Sequence, residues 1–277
     1  MRFRPRIRAA LVVLAALCAA GGLDVAVAGA SKPIRVSAAF DRDATLGSST
    51  ALEIVLRLDP RWKTDAQLTE VRIAYPRSLG VVSSGLGLAT CTRPAADFAA
   101  VLIDAAGLGG CPANAVMGVG SARAIVRLTD GQAIPEYATV TVLSGALERG
   151  RLGLVVYVDG QRPFGAKLAF EGEVRGAAPP YGGALTVRMP QVPAIKELAT
   201  IALVELRVVL GSHAIRYYER RRGHTVAYRP DGVQLPAACP LGGFRFQAQV
   251  GFSDGSRRTA SSVTPCPRAV ASARATR

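Results

Sequence analysis

The segment between Cys239 and Cys266 constrains the fold most, because it has the pattern of a complete β-hairpin bracketed by two cysteines. Its first half alternates apolar and polar or glycine positions, and this period of two gives a strand one apolar face. The apolar positions are Phe244, Phe246, Ala248, Val250 and Phe252. Asp254-Gly255 then supplies the positive φ of a tight turn. A return strand brings Cys266 close to Cys239, so a disulfide is expected at the open end of the hairpin.

The same alternation recurs along the chain and predicts an all-β protein. It is clear at residues 34–40, 52–58, 69–75 and 122–128, and residues 201–210 also favour a strand. Residues 152–158 are almost entirely apolar, which is typical of a central strand. Asp-Gly pairs at 130–131, 159–160, 231–232 and 254–255 predict turns. Roughly ten short strands with turn residues between them indicate an antiparallel β-sandwich.

One segment, between Cys91 and Cys111, has a different pattern. Pro94 can open a helix, and Asp97 would lie near the positive end of the helix dipole. Apolar residues then follow at helical spacing, and a glycine-rich stretch ends the pattern. These positions are Phe98, Val101, Leu102 and Ala105, followed by Gly107, Gly109 and Gly110. We therefore predict one short helix clipped across its ends by a disulfide.

The N-terminus has the features of a secretory signal peptide, which we assign to residues 1–30. A basic segment, Met1–Arg8, precedes an uncharged apolar run and the small-residue pattern Ala26-Val27-Ala28. The apolar run is shorter than the roughly 20 residues that cross a bilayer, so no transmembrane helix is expected in the mature chain. We predict one β-sandwich domain over residues 31–267, with two lobes as the alternative, and a disordered basic tail over residues 268–277.

Four cysteines remain after signal removal: Cys91, Cys111, Cys239 and Cys266. An even number in an exported chain points to disulfides formed outside the cytoplasm, in a secreted or cell-envelope protein. Three pairings are possible. We favour Cys91–Cys111 with Cys239–Cys266, because each pair brackets one local block of sequence.

The chain is strongly basic. Loss of residues 1–30 removes four arginines and one aspartate, which lowers the formal net charge from +14 to +11. A solvated positive surface is the simpler interpretation. The functional interpretation is attraction to an anionic partner such as cell-wall polymer or lipid, of which we name cell-wall polymer, and we do not expect nucleic acid.

Charge and aromatic residues concentrate between residues 216 and 229. Guanidinium groups interleaved with rings can hold phosphate or sugar-acid polymers. The candidate anion-binding residues are Arg216, Arg220, Arg221, Arg222 and Arg229. The favoured alternative is an exposed hairpin with its turn near Arg222-Gly223, where basic side chains protect an edge strand from aggregation.

Catalytic signatures are absent from the sequence. Only two histidines occur, His213 and His224, and both lie in or beside the basic segment. The Gly-x-Ser-x-Gly spacing occurs at residues 251–255, but it lies within the C-terminal hairpin and not at the strand-to-helix elbow of a hydrolase, and no His-Glu-x-x-His motif is present. The sequence also lacks a Cys-x-x-Cys pair, which is the spacing typical of a zinc site. We therefore predict a protein that is not an enzyme and uses no cofactor or metal.

Two motifs support a family resemblance. The first motif is Cys111-Pro112 followed by Gly118-Val119-Gly120. The second motif covers the C-terminal hairpin. It consists of Cys239-Pro240, Gly242-Gly243-Phe244, Asp254-Gly255-Ser256 and Pro265-Cys266-Pro267. With them the chain resembles uncharacterised exported β-rich proteins of high-GC bacteria. The resemblance covers most of the mature chain and implies a secreted β-sandwich with two disulfides. It implies no activity and no site residue.

The function expected from the sequence is that of an exported, non-catalytic envelope or extracellular protein that associates with anionic cell-wall polymer. The alternative is a carbohydrate- or lipid-binding module with an aromatic surface. That surface would draw on Tyr217, Tyr218, Tyr228 and Trp62. A hydrolase is the alternative that the motifs favour least.

Overall fold

The structure, a computed structural model, describes residues 33–59, 66–81, 86, 89–92, 111–163, 165, 167–189 and 199–267. Apart from a short 3-10 helix at Ala113–Ala115, the named elements of this part are strands. They are β1 (Ile34–Phe40), β2 (Ser49–Thr50), β3 (Leu52–Leu58), β4 (Leu68–Pro76), β5 (Val116–Leu128), β6 (Ala133–Glu148), β7 (Arg151–Arg162), β8 (Lys167–Gly176), β9 (Tyr181–Arg188), β10 (Ala199–Leu210), β11 (Tyr217–Arg221), β12 (His224–Tyr228), β13 (Val233–Gln234), β14 (Phe244–Phe252) and β15 (Arg257–Thr264). The all-β prediction is confirmed.

The C-terminal hairpin has the predicted form. β14 pairs with β15 in antiparallel register, and Gly255 in the connecting turn has a φ of 79°. The side chains of Phe244, Phe246, Ala248 and Val250 are all fully buried, as the period of two requires. The structure joins Cys239 to Cys266 and Cys91 to Cys111, which is the pairing that the sequence favours.

Eleven strands form one sheet in the order β1-β3-β10-β5-β6-β7-β8-β9-β4-β14-β15. The apolar strand β7 is central, with five strands on either side, as predicted. Two further pairs, β11 with β12 and β13 with β2, form small separate sheets. Every pairing in the large sheet is antiparallel.

The large sheet curls until its edge strands approach each other. Thr264 Oγ1 in β15 donates a hydrogen bond to the backbone carbonyl of Ala38 in β1, at 2.7 Å. Beside this contact the rings of Phe40 and Phe244 meet edge-on, with centroids 4.9 Å apart. The predicted sandwich of two separate sheets is not confirmed, because one curled sheet supplies its own facing layers.

The two sides of this interior differ, and we name them by their strands. Around β1, β3, β4 and β14 lies the filled side, where aromatic and branched side chains pack closely. Its fully or almost fully buried residues include Leu52, Phe244, Phe246 and Val250. Val140 of β6 and Leu154 of β7 belong to the same core as the two phenylalanines. Around β5 to β8 lies the cavity side, where many inward-facing side chains are only half-buried, Ala122, Ala138 and Leu168 among them.

The predicted turn at Asp159-Gly160 is wrong. β7 runs through this pair to Arg162, and Gly160 pairs with Ala138 of β6 within the ladder. Gly160 lies on the inner face of the sheet and lines the cavity. The predicted helix between Cys91 and Cys111, the signal peptide, the basic tail and Trp62 lie outside the described residues. None of the helices in the described part has the length and apolar character needed to cross a membrane.

Candidate functional site

A cavity of about 610 Å³ lies inside the curled sheet, between the cavity side and inward-facing residues of β3 and β4. Its wall is built from inward-facing positions of β3 to β10, together with the residues that flank them. Among the lining residues only Gln67 and Glu136 carry polar side chains. The remainder is hydrocarbon, so the wall offers dispersion contacts and very few hydrogen bonds to an occupant.

Small side chains on neighbouring strands create this space. The register places Ala122 of β5 opposite Ala138 of β6, and Ala138 opposite Gly160 of β7. All three line the cavity, and Ala124 adds a further small residue on β5. The rings of Phe40, Phe244 and Phe246 belong to the core of the filled side. The row of small residues therefore leaves volume open inside the curled sheet.

The cavity reaches the surface at one end of the strands. Ile201, at the start of β10, lines the wall and is 37% exposed. Leu128 at the end of β5 and Leu168 at the start of β8 also line the wall and are half-buried. The antiparallel registers place these three strand ends on the same side of the molecule. A ligand could enter there without passing through the sheet.

The basic segment forms the expected hairpin, with β11 paired to β12. Its turn falls at Arg222-Gly223, where both residues have positive φ, 48° and 84°. This is the left-handed geometry of a two-residue hairpin turn, and it projects Arg222 into solvent.

The structure brings the five predicted arginines only partly together. Strand alternation and register place Arg216, Arg220 and Arg229 on the same face of the hairpin as Tyr218, which is 54% exposed. Arg221 points to the opposite face, where its Nε lies 2.8 Å from a carboxylate oxygen of Glu219. Arg216 donates to the backbone carbonyl of His213 at 2.9 Å.

The hairpin is anchored to the body of the protein by Tyr217 and by the 3-10 helix. The Tyr217 side chain is buried, and its hydroxyl contacts the backbone carbonyls of Leu86 and Val116. Burial raises the pKa of Tyr217 far above its usual range, so the hydroxyl stays protonated and donates. Asn114 bonds both the N–H and the carbonyl of Tyr218, at 2.9 and 2.8 Å. The exposed arginines therefore project from a fixed base.

The two histidines do not assemble a nucleophile site in the described part of the chain. His213 Nε2 lies 2.8 Å from Asp41 Oδ2. No serine hydroxyl joins this pair among the residues described, and His224 is exposed in the hairpin. The His213–Asp41 pair ties the segment that leads into the hairpin to the loop after β1.

The cavity is the feature that the sequence interpretation missed. Its signal is present but weak: Ala122, Ala124 and Ala138 occupy inward positions, whereas much of the remaining wall is valine or leucine. Only the register shows that these small residues stand beside one another and beside Gly160.

No family model matches the chain, and the comparisons with curated proteins and with solved structures found no match. The resemblance to exported β-rich proteins of high-GC bacteria therefore stays a prediction. The functional interpretation rests on the geometry of the chain itself.

Proposed function

We propose that the chain is an exported, non-catalytic protein that binds a small, largely apolar molecule of the lipid class in the cavity of its curled sheet. This is the lipid-binding alternative raised by the sequence, moved from an aromatic surface to an interior site. The single observation that carries the proposal is the 610 Å³ cavity with its nearly all-hydrocarbon wall.

The energetics of cavities support an occupant. Apolar wall atoms that face an unfilled interior lack the dispersion contacts that a packed core provides. Water would find few partners on a wall with two polar side chains. An apolar ligand restores the missing dispersion contacts without stranding polar groups.

The size of the cavity also fits small-molecule binding. Ligand pockets commonly enclose about 300–1,000 Å³ and bury most of their ligand behind apolar walls. The volume here lies within that range, and the exposed Ile201 marks an entrance. We expect one molecule with a hydrocarbon chain or ring system rather than a sugar, which would need several hydrogen-bonding groups.

Export is supported by the two disulfides, since such bonds persist mainly outside the cytoplasm. The basic N-terminal pattern supports removal of a signal peptide. We therefore place the lipid-binding function in the extracytoplasmic space, either secreted or within the cell envelope.

The test is titration of the purified protein with N-phenyl-1-naphthylamine, whose fluorescence rises in apolar surroundings. We expect saturable binding of one probe per chain in the parent protein. Ala122→Phe and Ala138→Phe place a ring inside the cavity and should weaken binding at least tenfold. The matched control is Ala133→Phe, on the same strand as Ala138 but exposed, which should bind as the parent does.

Two results would overturn the proposal. One is the absence of saturable binding by the folded parent protein. The other is equal binding by the parent and both cavity-filling variants, which would place the probe elsewhere. Circular dichroism on each variant separates loss of binding from loss of fold.

A second proposal keeps the association with anionic cell-wall polymer and assigns it to the hairpin. It is favoured by the face that carries Arg216, Arg220 and Arg229 beside the exposed ring of Tyr218. We expect salt-sensitive retention on purified cell wall, because screening weakens contacts between exposed charges. Arg220→Gln with Arg229→Gln should reduce that retention. Retention unchanged in this double variant would contradict the assignment.

A further inference from the structure

A second basic surface, distinct from the hairpin, lies on the outer face of the large sheet. The registers of five consecutive strand pairs align one outward residue from each of six adjacent strands. From β1 to β7 these residues are Arg35, Arg57, Glu205, Arg123, Tyr137 and Arg162, which we call the arginine row. Apart from half-buried Glu205, all of them are exposed. They are scattered between positions 35 and 205 of the sequence, so no linear motif reveals them.

The row carries four guanidinium groups and one carboxylate. Glu205 accepts a hydrogen bond from Arg57 Nε at 2.7 Å, and this ion pair neutralises one positive charge of the row. This bond, with the fields of Arg57, Arg123 and Arg207, holds the pKa of Glu205 below its usual value. Among the residues described, no ion pair involves Arg35, Arg123 or Arg162. With four guanidinium groups and one carboxylate, the row carries a net charge of +3.

The spacing of these charges follows from the sheet. Adjacent strands lie about 4.8 Å apart, so residues two strands apart are separated by roughly 10 Å along the row. Arg57 and Arg123 stand two strands apart, as do Arg123 and Arg162. Tyr137 lies between the last two and is 52% exposed. A rigid sheet thus presents regularly spaced guanidinium groups with an aromatic ring among them.

This arrangement suits a broad anionic surface. The row crosses the outer face of the curled sheet, so neighbouring arginines of the row can each meet a different phosphate group. Tyrosine with an apolar body and a polar tip is favoured where headgroups meet acyl chains. The same strands carry the cavity wall on their other face, since Ala122 and Ala124 flank Arg123 in sequence and line the cavity. Contact with a lipid surface would hold the cavity close to a source of apolar ligand.

We propose that the arginine row docks the protein on an anionic bilayer surface. The inference goes beyond the cavity function and stands without it, because it concerns the outer face of the sheet. A soluble polyanion is the other occupant that such a row could accept. The aromatic ring within the row and its position on the outside of the cavity wall favour the bilayer.

The test is co-sedimentation with vesicles of phosphatidylcholine, with and without phosphatidylglycerol. We expect binding only to the anionic vesicles, with a steep loss as salt is raised. Each basic residue near such a surface contributes about fivefold, so Arg35→Gln, Arg123→Gln and Arg162→Gln combined should weaken binding on the order of 100-fold. Glu205→Gln removes the one carboxylate and should strengthen binding about fivefold.

The hairpin supplies a control of equal charge. Arg220→Gln, Arg222→Gln and Arg229→Gln combined remove the same charge from a different surface, and vesicle binding should change by less than tenfold. Equal losses in the two triple variants would reduce the effect to net charge and overturn the proposal. The proposal would also be overturned if the arginine-row variants lost binding to soluble polyphosphate but bound vesicles as the parent protein does. Ala138→Phe should leave vesicle binding intact, which keeps this test separate from that of the cavity.

Discussion

The filled side and the cavity side of the curled sheet are made from the same alternating strands, yet they pack differently. On the filled side the residues Leu52, Phe244 and Phe246 are at most 2% exposed. On the cavity side Leu168 and Ala138 point inward and remain half-buried. Alternation fixes which face is apolar, whereas the size of the inward residues fixes whether that face closes on itself. We therefore assign stability mainly to the filled side and ligand binding to the cavity side.

A matched pair of leucine truncations should give the largest contrast. Leu52→Ala removes a buried side chain from the filled side and should lower the free energy of unfolding by about 4 kcal/mol. Leu168→Ala removes a half-exposed side chain from the cavity wall and should cost about 1 kcal/mol. Urea denaturation of both variants, followed by tryptophan fluorescence and circular dichroism, measures the two values. Equal losses would mean that the cavity side is as closely packed as the filled side.

The Cys239–Cys266 disulfide should stabilise the filled side without affecting the cavity. Its cysteines are 27 residues apart, and Cys266 packs against the filled core. The loop-entropy relation gives a loss of about 3.5 kcal/mol when both cysteines become serine. Binding of N-phenyl-1-naphthylamine at temperatures where the variant stays folded should be unchanged. A loss of probe binding in the folded variant would show that the two sides are coupled.

The third contrast adds volume instead of removing it. Ala248→Phe forces a ring into the filled side, where Ala248 is fully buried, and should destabilise the protein by about 2 kcal/mol. Ala138→Phe places the same ring in the cavity and should be neutral or stabilise by about 1 kcal/mol. Thermal melting of the two variants gives the comparison. A large destabilisation by Ala138→Phe would indicate that the cavity volume is not available to a side chain.

Much of the fold could be predicted from local sequence. The strands β1, β3, β4 and β14 and the turn at Asp254-Gly255 follow from alternation and turn chemistry over a few residues. The pairing of cysteines follows from their position around local blocks. These features need no knowledge of distant contacts, which is why they can be predicted.

The remaining features depend on contacts between distant residues. β10 inserts between β3 and β5, and β4 inserts between β9 and β14, so partners lie far apart in sequence. A single curled sheet and two stacked sheets share the same alternation, which explains why a sandwich was predicted. Gly160 illustrates the same limit: locally Asp159-Gly160 resembles a turn, but in the ladder it faces Ala138 and widens the cavity.

The candidate sites divide in the same way. The hairpin from Arg216 to Arg229 could be predicted because its charges are contiguous in sequence. The cavity wall and the arginine row could not, because each is assembled by register from several strands. Ala122 and Arg123 are adjacent in sequence and belong to opposite faces of the sheet, one to the wall and one to the row.

The most direct measurement is native mass spectrometry of the protein exported by its own host, followed by organic extraction. The account predicts a species heavier than the disulfide-bonded chain by one small molecule, which moves into the organic phase and is lost in Ala138→Phe. A parent protein whose mass equals that of the chain alone, and which also takes up no apolar probe, would contradict it.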